Sequence, residues 1–223
     1  MDAPTDREFR LVADVPAAFT EVVAEAIEKS PGAFRMALSG GETARSCYEV
    51  LAGRAGIEWG RVECYVGDER CVPPDDDDAN QKMIRQALIE VVSPAAFFPM
   101  DCDSPEAYEQ LLQAVGGLNL IHLGLGPDGH TASLFPGSPG LEAPAGARVV
   151  RNFDETGRNS HPRLSLTFEE IERGDLVVFT VAGASKAAAL AAVLAGEDLP
   201  AARVRASRVL FLCDEEAMSE VRP

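Results

Sequence analysis

Chemistry-bearing residues in this chain gather where short apolar runs give way to glycine. After the run 118–123 comes Gly124-Leu125-Gly126-Pro127-Asp128-Gly129-His130-Thr131-Ala132-Ser133-Leu134-Phe135-Pro136-Gly137. A histidine beside a carboxylate can shuttle protons, because an unperturbed imidazole pKa of roughly 6.5 leaves both forms accessible near neutrality. Gly129, between the two, allows close backbone approach. A purely structural Asp–His hydrogen bond is the bland alternative. Of the other histidines, His122 sits inside an apolar run and reads as a satisfied core residue, while His161 lies in a proline-flanked loop. His130, with Asp128, is therefore the candidate general acid/base.

Three further stretches could complete a site. Ser39-Gly40-Gly41-Glu42-Thr43 follows the run 34–38 and leads into a helical pattern near Ala44. Paired glycines let the backbone approach a ligand, and free N–H groups at a helix start attract an anion such as phosphate. A plain turn capped by Ser39 or Thr43 fits the local sequence equally well. Glu42 would repel a phosphate, so its side chain is expected to point away. Asp68-Glu69-Arg70 follows the run 62–66. A solvated rim is the commoner meaning of such a cluster, although its position could bring it to the same crevice. Gly183-Ala184-Ser185-Lys186 opens another helical pattern, where a lysine opposes the helix dipole unless a bound anion is present. A snorkelling surface lysine is the alternative.

Gly124, Gly126 and Gly129 also match a dinucleotide fingerprint. Pro127 and His130 interrupt the turn that motif needs, and Pro136 limits any following helix to about one turn, so that reading is rejected.

The elements that must position these residues follow from periodicity. Runs at 9–13, 34–38, 62–66, 118–123, 163–167, 176–181 and 209–213 read as strands. Helical spacing covers 16–29 with Asp14 as N-cap, 44–52, 80–91, 105–115 opened by Ser104-Pro105, and 186–194. Alternation of the two, with strands apolar on both faces, predicts a three-layer α/β fold: a mainly parallel sheet with helices on both faces. Stretches 73–79 and 136–162, the latter with a short strand at 149–152, read as loops too short to divide the chain, which predicts a single domain over 1–223. Ligands bind such sheets at the carboxyl ends of the strands, where these motifs lie.

A net charge of −16 disfavours nucleic acid and anionic membranes as partners. An anionic metabolite can still bind where a few cations and N–H groups converge locally. No stretch approaches the ~20 apolar residues of a membrane span. The N-terminal MDAPTDREFR carries acids where a signal peptide needs basic residues, so a cytoplasmic location is expected. Cys47, Cys64, Cys71, Cys102 and Cys213 are odd in number and lack C-x-x-C spacing, which predicts ordinary thiols with neither a disulfide framework nor a zinc site.

In order and spacing, the motifs at 39–43, 68–70, 128–137 and 183–186 are similar to those of the 6-phosphogluconolactonase family. The resemblance implies the fold shared with glucosamine-6-phosphate deaminases. It also implies hydrolysis of 6-phosphoglucono-δ-lactone to 6-phosphogluconate in the oxidative pentose phosphate pathway, without metal or organic cofactor. The expected partner is a small sugar-phosphate lactone, and the absence of an interaction tail makes a monomer the expectation. On this resemblance His130, Asp128, Arg70 and Asp68 are catalytic, and Ser39, Gly40, Gly41, Thr43, Lys186 and Arg163 hold the phosphate. The chain departs from the commonest family pattern at Glu42, Ala44 and Ala79, where a small hydroxyl residue, proline and serine are frequent. The related amino-sugar-phosphate deaminases typically carry Ile-Ala-Phe-Asn-Glu-Pro where this chain has 131–136. The missing glutamate disfavours ring-opening deamination. A non-catalytic sugar-phosphate sensor would usually carry a DNA-binding segment, for which the chain has no basic patch.

Overall fold

A computed structural model describes residues 6–221; residues 1–5, part of the stretch read against a signal peptide, lie outside the described residues. In chain order its strands and α-helices are β1 (Asp6–Leu11), α1 (Val15–Lys29), β2 (Phe34–Leu38), α2 (Glu42–Ala52), β3 (Val62–Val66), β4 (Asp68–Arg70), α3 (Asn80–Ile84), α4 (Glu90–Val92), β5 (Ala96–Phe98), α5 (Pro105–Val115), β6 (Leu120–Gly124), β7 (Val149–Asn152), β8 (Arg163–Leu166), α6 (Phe168–Glu172), β9 (Leu176–Val181), α7 (Ala187–Leu194), α8 (Pro200–Arg203) and β10 (Arg208–Cys213). A π-helical stretch, Arg85–Ile89, joins α3 to α4, so the helix expected over 80–91 is present but locally widened.

Seven strands form one parallel sheet in the order β1-β10-β9-β6-β2-β3-β5. The three-layer α/β expectation holds. Every residue of β9 is buried, as its unbroken apolar run requires. Phe9, Phe211 and Phe179 stack across three neighbouring strands, with ring centroids 4.4 and 4.3 Å apart. On α1, Val15, Phe19, Val23 and Ile27 recur every four residues and line the buried face, each apolar side chain contributing roughly 1.5–3 kcal/mol on burial. Asp14 caps that helix as expected, accepting from the Ala17 N–H at 2.9 Å.

Two expectations need correction. The strand at 163–166 is outside the parallel sheet; it is the middle of a separate antiparallel sheet, β4-β8-β7, in which Asp68 opposes Ser165 and Arg70 opposes Arg163. Gly67 permits this departure: its N–H donates to the Leu38 carbonyl of β2 while its carbonyl accepts from Leu166, so the chain changes sheets across one residue. A Cβ there would meet the Leu38 carbonyl oxygen at 3.3 Å. The cysteines also differ from their reading as free thiols. Cys71 and Cys102 form a disulfide, Cα atoms 5.5 Å apart, tying the end of β4 to the loop between β5 and α5. These partners are 31 residues apart in sequence, and only the fold brings them together. Cys47, Cys64 and Cys213 are free and buried. Among the described residues, no helix is long and apolar enough to cross a membrane.

Candidate active site

The turn after β6 holds the Asp–His pair in a tight backbone frame. Gly129 donates to the Gly126 carbonyl at 3.0 Å, Gly126 donates to the His130 carbonyl at 2.8 Å, and the Thr131 hydroxyl returns to Gly124 at 2.9 Å. Gly129 adopts φ +84, a conformation that disfavours any side chain. Ala132 adopts φ +47, an uncommon placement for a residue with a Cβ. The result is a contact of 2.6 Å between His130 Nδ1 and Asp128 Oδ1, with the His130 backbone N–H on the same oxygen at 3.2 Å. Burial pushes the Asp128 carboxyl up, but the imidazole and backbone N–H groups prevail and hold it below its usual value. Because Nδ1 faces Asp128, Nε2 is the ring nitrogen available to a reactant.

The glycine turn runs from buried Ser39 into α2, which starts at Glu42, two residues earlier than expected, with Gly41 at φ +98 as its N-cap. No side chain caps this helix, so the alternative of a plain turn capped by Ser39 or Thr43 is not realised. Ser39 instead donates its hydroxyl to the His122 carbonyl at 2.7 Å. A Cβ on Gly40 would strike the Asn80 side chain at 2.0 Å, so the turn is pressed against α3. The Glu42 side chain is 89% exposed and 3.8 Å from Arg45, and Glu42 stands on the rim of the cavity that the turn faces.

The 68–70 cluster is no solvated rim. Asp68 and Glu69 are buried, and Glu69 receives the backbone N–H groups of Arg70, Asn80 and Gln81 at 2.7–2.8 Å, closing the start of α3. Burial raises the Glu69 pKa against the pull of those donors. Asp68 accepts from the Ser133 hydroxyl at 2.6 Å, which ties β4 to the segment after His130. The Arg70 guanidinium donates to the Asp78 carbonyl at 2.8 Å, and Asp78 also meets His161 at 3.0 Å. Arg163, opposite Arg70 across the small sheet, is buried; its Nε has no hydrogen-bond partner and its guanidinium lies 5.9 Å from the Phe135 ring. Burial lowers its pKa while the charge of Asp68 opposes that shift. Lys186 ends a 3₁₀ turn before α7; burial lowers its pKa, and Asp128 counters it.

Ser39, Gly40, Gly41, Thr43, Asp68, Arg70, His130, Arg163 and Lys186 all line one open cavity of about 190 Å³ at the carboxyl ends of the strands, and Asp128 stands behind His130. All ten residues singled out from sequence are thus brought to one place. Four others were missed: Asn80, Ser133, Asn159 and Thr180 also line the cavity. Asn159 is held there by Asp154, which accepts from its backbone and side chain at 3.1 and 2.8 Å. No local signal marks Asn159 or Thr180; Ser133 lies inside the 128–137 motif, where its hydroxyl alone does not point to a role.

Comparison with known proteins agrees with this architecture. Residues 6–212 match the family of glucosamine-6-phosphate isomerases/6-phosphogluconolactonase. A 6-phosphogluconolactonase of Synechocystis sp. is 38% identical over 209 residues, covering 84% of this chain and 85% of that protein. One from Mycobacterium tuberculosis is 36% identical over 209 residues, covering 82% and 83%. The 6-phosphogluconolactonase structure from Thermotoga maritima superposes with a TM-score of 0.85 at 27% identity, covering 94% of this chain and all of that one. That from Trypanosoma brucei gives 0.85 at 26%, covering 98% and 100%. A match that spans both the central sheet and the small sheet carrying Arg70 and Arg163 establishes that the chain belongs to the glucosamine-6-phosphate isomerase/6-phosphogluconolactonase family.

Proposed function

We propose that the chain hydrolyses 6-phospho-D-glucono-1,5-lactone to 6-phospho-D-gluconate, as a carboxylic ester hydrolase of the oxidative pentose phosphate pathway. The observation that carries this reading is the His130–Asp128 pair at a cavity shared with Arg70, Arg163, Lys186 and the glycine turn. Cations and helix N–H groups suit a phosphate, and an imidazole braced by a carboxylate suits proton transfer.

Neutral His130 takes a proton from water at Nε2 as the water oxygen attacks the lactone carbonyl carbon. The tetrahedral intermediate collapses by breaking the bond from that carbon to the ring oxygen, which receives the proton back from Nε2. Asp128 orients the imidazole and stabilises its cation. Arg70 stabilises the developing oxyanion, and Asp68, bonded to Ser133, holds the cationic strand against the His130 turn. Ser39, Gly40, Gly41, Thr43, Lys186 and Arg163 hold the phosphate, so ring opening gains from fixed orientation. A monomer is the expected working unit and the cytoplasm the expected compartment. The missing glutamate after His130 argues against the deaminase alternative.

The test is acid release from freshly made 6-phosphoglucono-δ-lactone, with spontaneous hydrolysis subtracted. Wild type should turn over rapidly and folded His130→Ala should lose about 10²–10⁴ in rate. No wild-type turnover, with ammonia released from glucosamine 6-phosphate instead, would move the assignment to the deaminases.

A further inference from the structure

We propose that Tyr48 and His122 are positioning residues for the phosphate turn, acting through a buried hydrogen-bond chain that fixes the Ser39 peptide from which the turn departs. The inference rests on assigning phosphate to the 39–43 turn and extends it to residues outside the cavity.

All three polar atoms of Ser39 are held. Its N–H donates to the Tyr48 hydroxyl at 2.8 Å, its carbonyl accepts from that hydroxyl at 3.0 Å, and its own hydroxyl donates to the His122 carbonyl. Tyr48 lies on α2, so the helix whose start forms the turn is bonded back to the peptide that precedes it. The chain continues inward: the Tyr48 oxygen is 2.8 Å from His122 Nδ1, and His122 Nε2 is 2.8 Å from the Thr180 hydroxyl. Tyr48, His122, Ser39 and Thr180 are all buried.

Counting protons assigns the imidazole. The Tyr48 hydroxyl has one proton and accepts the Ser39 N–H, so if Nδ1–H also donates to it, its proton is free for the Ser39 carbonyl, while Thr180 donates to Nε2. Every group is then satisfied. The other tautomer would send the Tyr48 proton to Nδ1 and leave the Ser39 carbonyl without that bond. Burial drives the His122 pKa down to about 3, so the ring stays neutral and the tautomer can persist at any pH where the protein works. An apolar core has no need of such a chain, which is costly unless complete. What this one fixes is the peptide leading directly into Gly40 and Gly41.

Tyr48→Phe keeps the ring and removes both bonds to Ser39. With 6-phosphoglucono-δ-lactone, its KM should rise about 5- to 50-fold while kcat stays within about threefold, the mark of lost ground-state binding. Competitive inhibition by inorganic phosphate should weaken by a similar factor. His122→Leu should repeat this loss, whereas His122→Asn, whose side-chain amide can stand in for Nδ1–H, should keep KM near wild type even if it melts earlier. Should Tyr48→Phe fail to fold, the His122→Leu and His122→Asn pair decides the matter. Wild-type KM and phosphate inhibition in folded Tyr48→Phe, or equal KM values for the two His122 variants, overturn the positioning role alone. A wild type that ignores inorganic phosphate and hydrolyses unphosphorylated glucono-δ-lactone equally well overturns the phosphate assignment, and the positioning role with it.

Discussion

Gly126 and His130 pack so closely that a Cβ on Gly126 would lie 2.1 Å from the imidazole Nδ1 and 2.7 Å from Asp128 Oδ1. The glycine is therefore part of what seats the Asp–His pair, because the atoms a methyl would meet are those of the two paired side chains themselves. Gly126→Ala should displace the ring and lower kcat by about 10²-fold, since small misplacements of a reacting group are costly. Steady-state kinetics with a circular dichroism melt would check this. A folded variant with wild-type kcat would show that Gly126 does not set the position of the ring.

Asp128→Asn preserves shape and removes charge, separating orientation from cation stabilisation. We expect kcat to fall about 10- to 10³-fold. The linkage has a definite sign: the folded carboxyl is held below its ordinary 3.8, so its contribution to stability is present above that value and lost as pH falls through the folded pKa. Urea titrations of both proteins should therefore show the carboxyl's share of the stability difference shrinking as pH falls through the acid range. A difference that grew in acid would contradict the bond.

Much of this was legible in the sequence because the signals were local. The strands at 34–38, 62–66 and 176–181, the helix at 105–115 and the Asp14 cap all follow from periodicity and capping within a few residues. What could not be read depends on contacts distant in sequence. β4 is three residues long and two-thirds acidic, and it becomes a strand only because β8, nearly 100 positions later, pairs with it. Glu69 looks like surface until the N-terminus of α3 arrives above it. Asn159 enters the cavity only through the turn built on Asp154, whose carboxyl is held down to about 2: burial pushes it up, but the Thr156 and Asn159 donors together outweigh that.

Glu170 offers a prediction about stability away from the site. Its side chain is 1% exposed, Arg148 lies 3.3 Å away without hydrogen-bond alignment, and Arg173 is at 4.0 Å. Burial raises its pKa to about 7, outweighing the pull of both arginines, with Glu109 adding to the rise. A raised folded pKa means that stability from this group is complete below its unfolded value and is lost as pH rises through about 7. The loss should be roughly 2–3 kcal/mol between pH 5 and 8. Glu170→Gln, which resembles the protonated form, should flatten that slope in urea unfolding across the same range. Equal slopes in the two proteins would mean that Glu170 is already ionised in the fold.

The Cys71–Cys102 disulfide joins stability to the position of the cations. Cys71 follows Arg70 directly, and its N–H donates at 2.9 Å to the carbonyl of Pro162, the neighbour of Arg163. Closing a loop of 31 positions should stabilise the fold by about 2–4 kcal/mol through restriction of the unfolded chain. Dithiothreitol should then lower the melting temperature by roughly 5–15 °C for a chain of this length. The Cys71→Ser/Cys102→Ser double variant should melt at the lower temperature with or without reductant. Activity at 25 °C should survive reduction, because the β4–β8 register that sets Arg70 opposite Arg163 is made by backbone hydrogen bonds rather than by sulfur. A cytoplasmic thiol pool would tend to open such a bond, so the β4–β8 pairing must suffice in that compartment if the protein works there. Loss of activity on reduction, reversed on reoxidation and absent in the double variant, would instead show that the disulfide controls the cations.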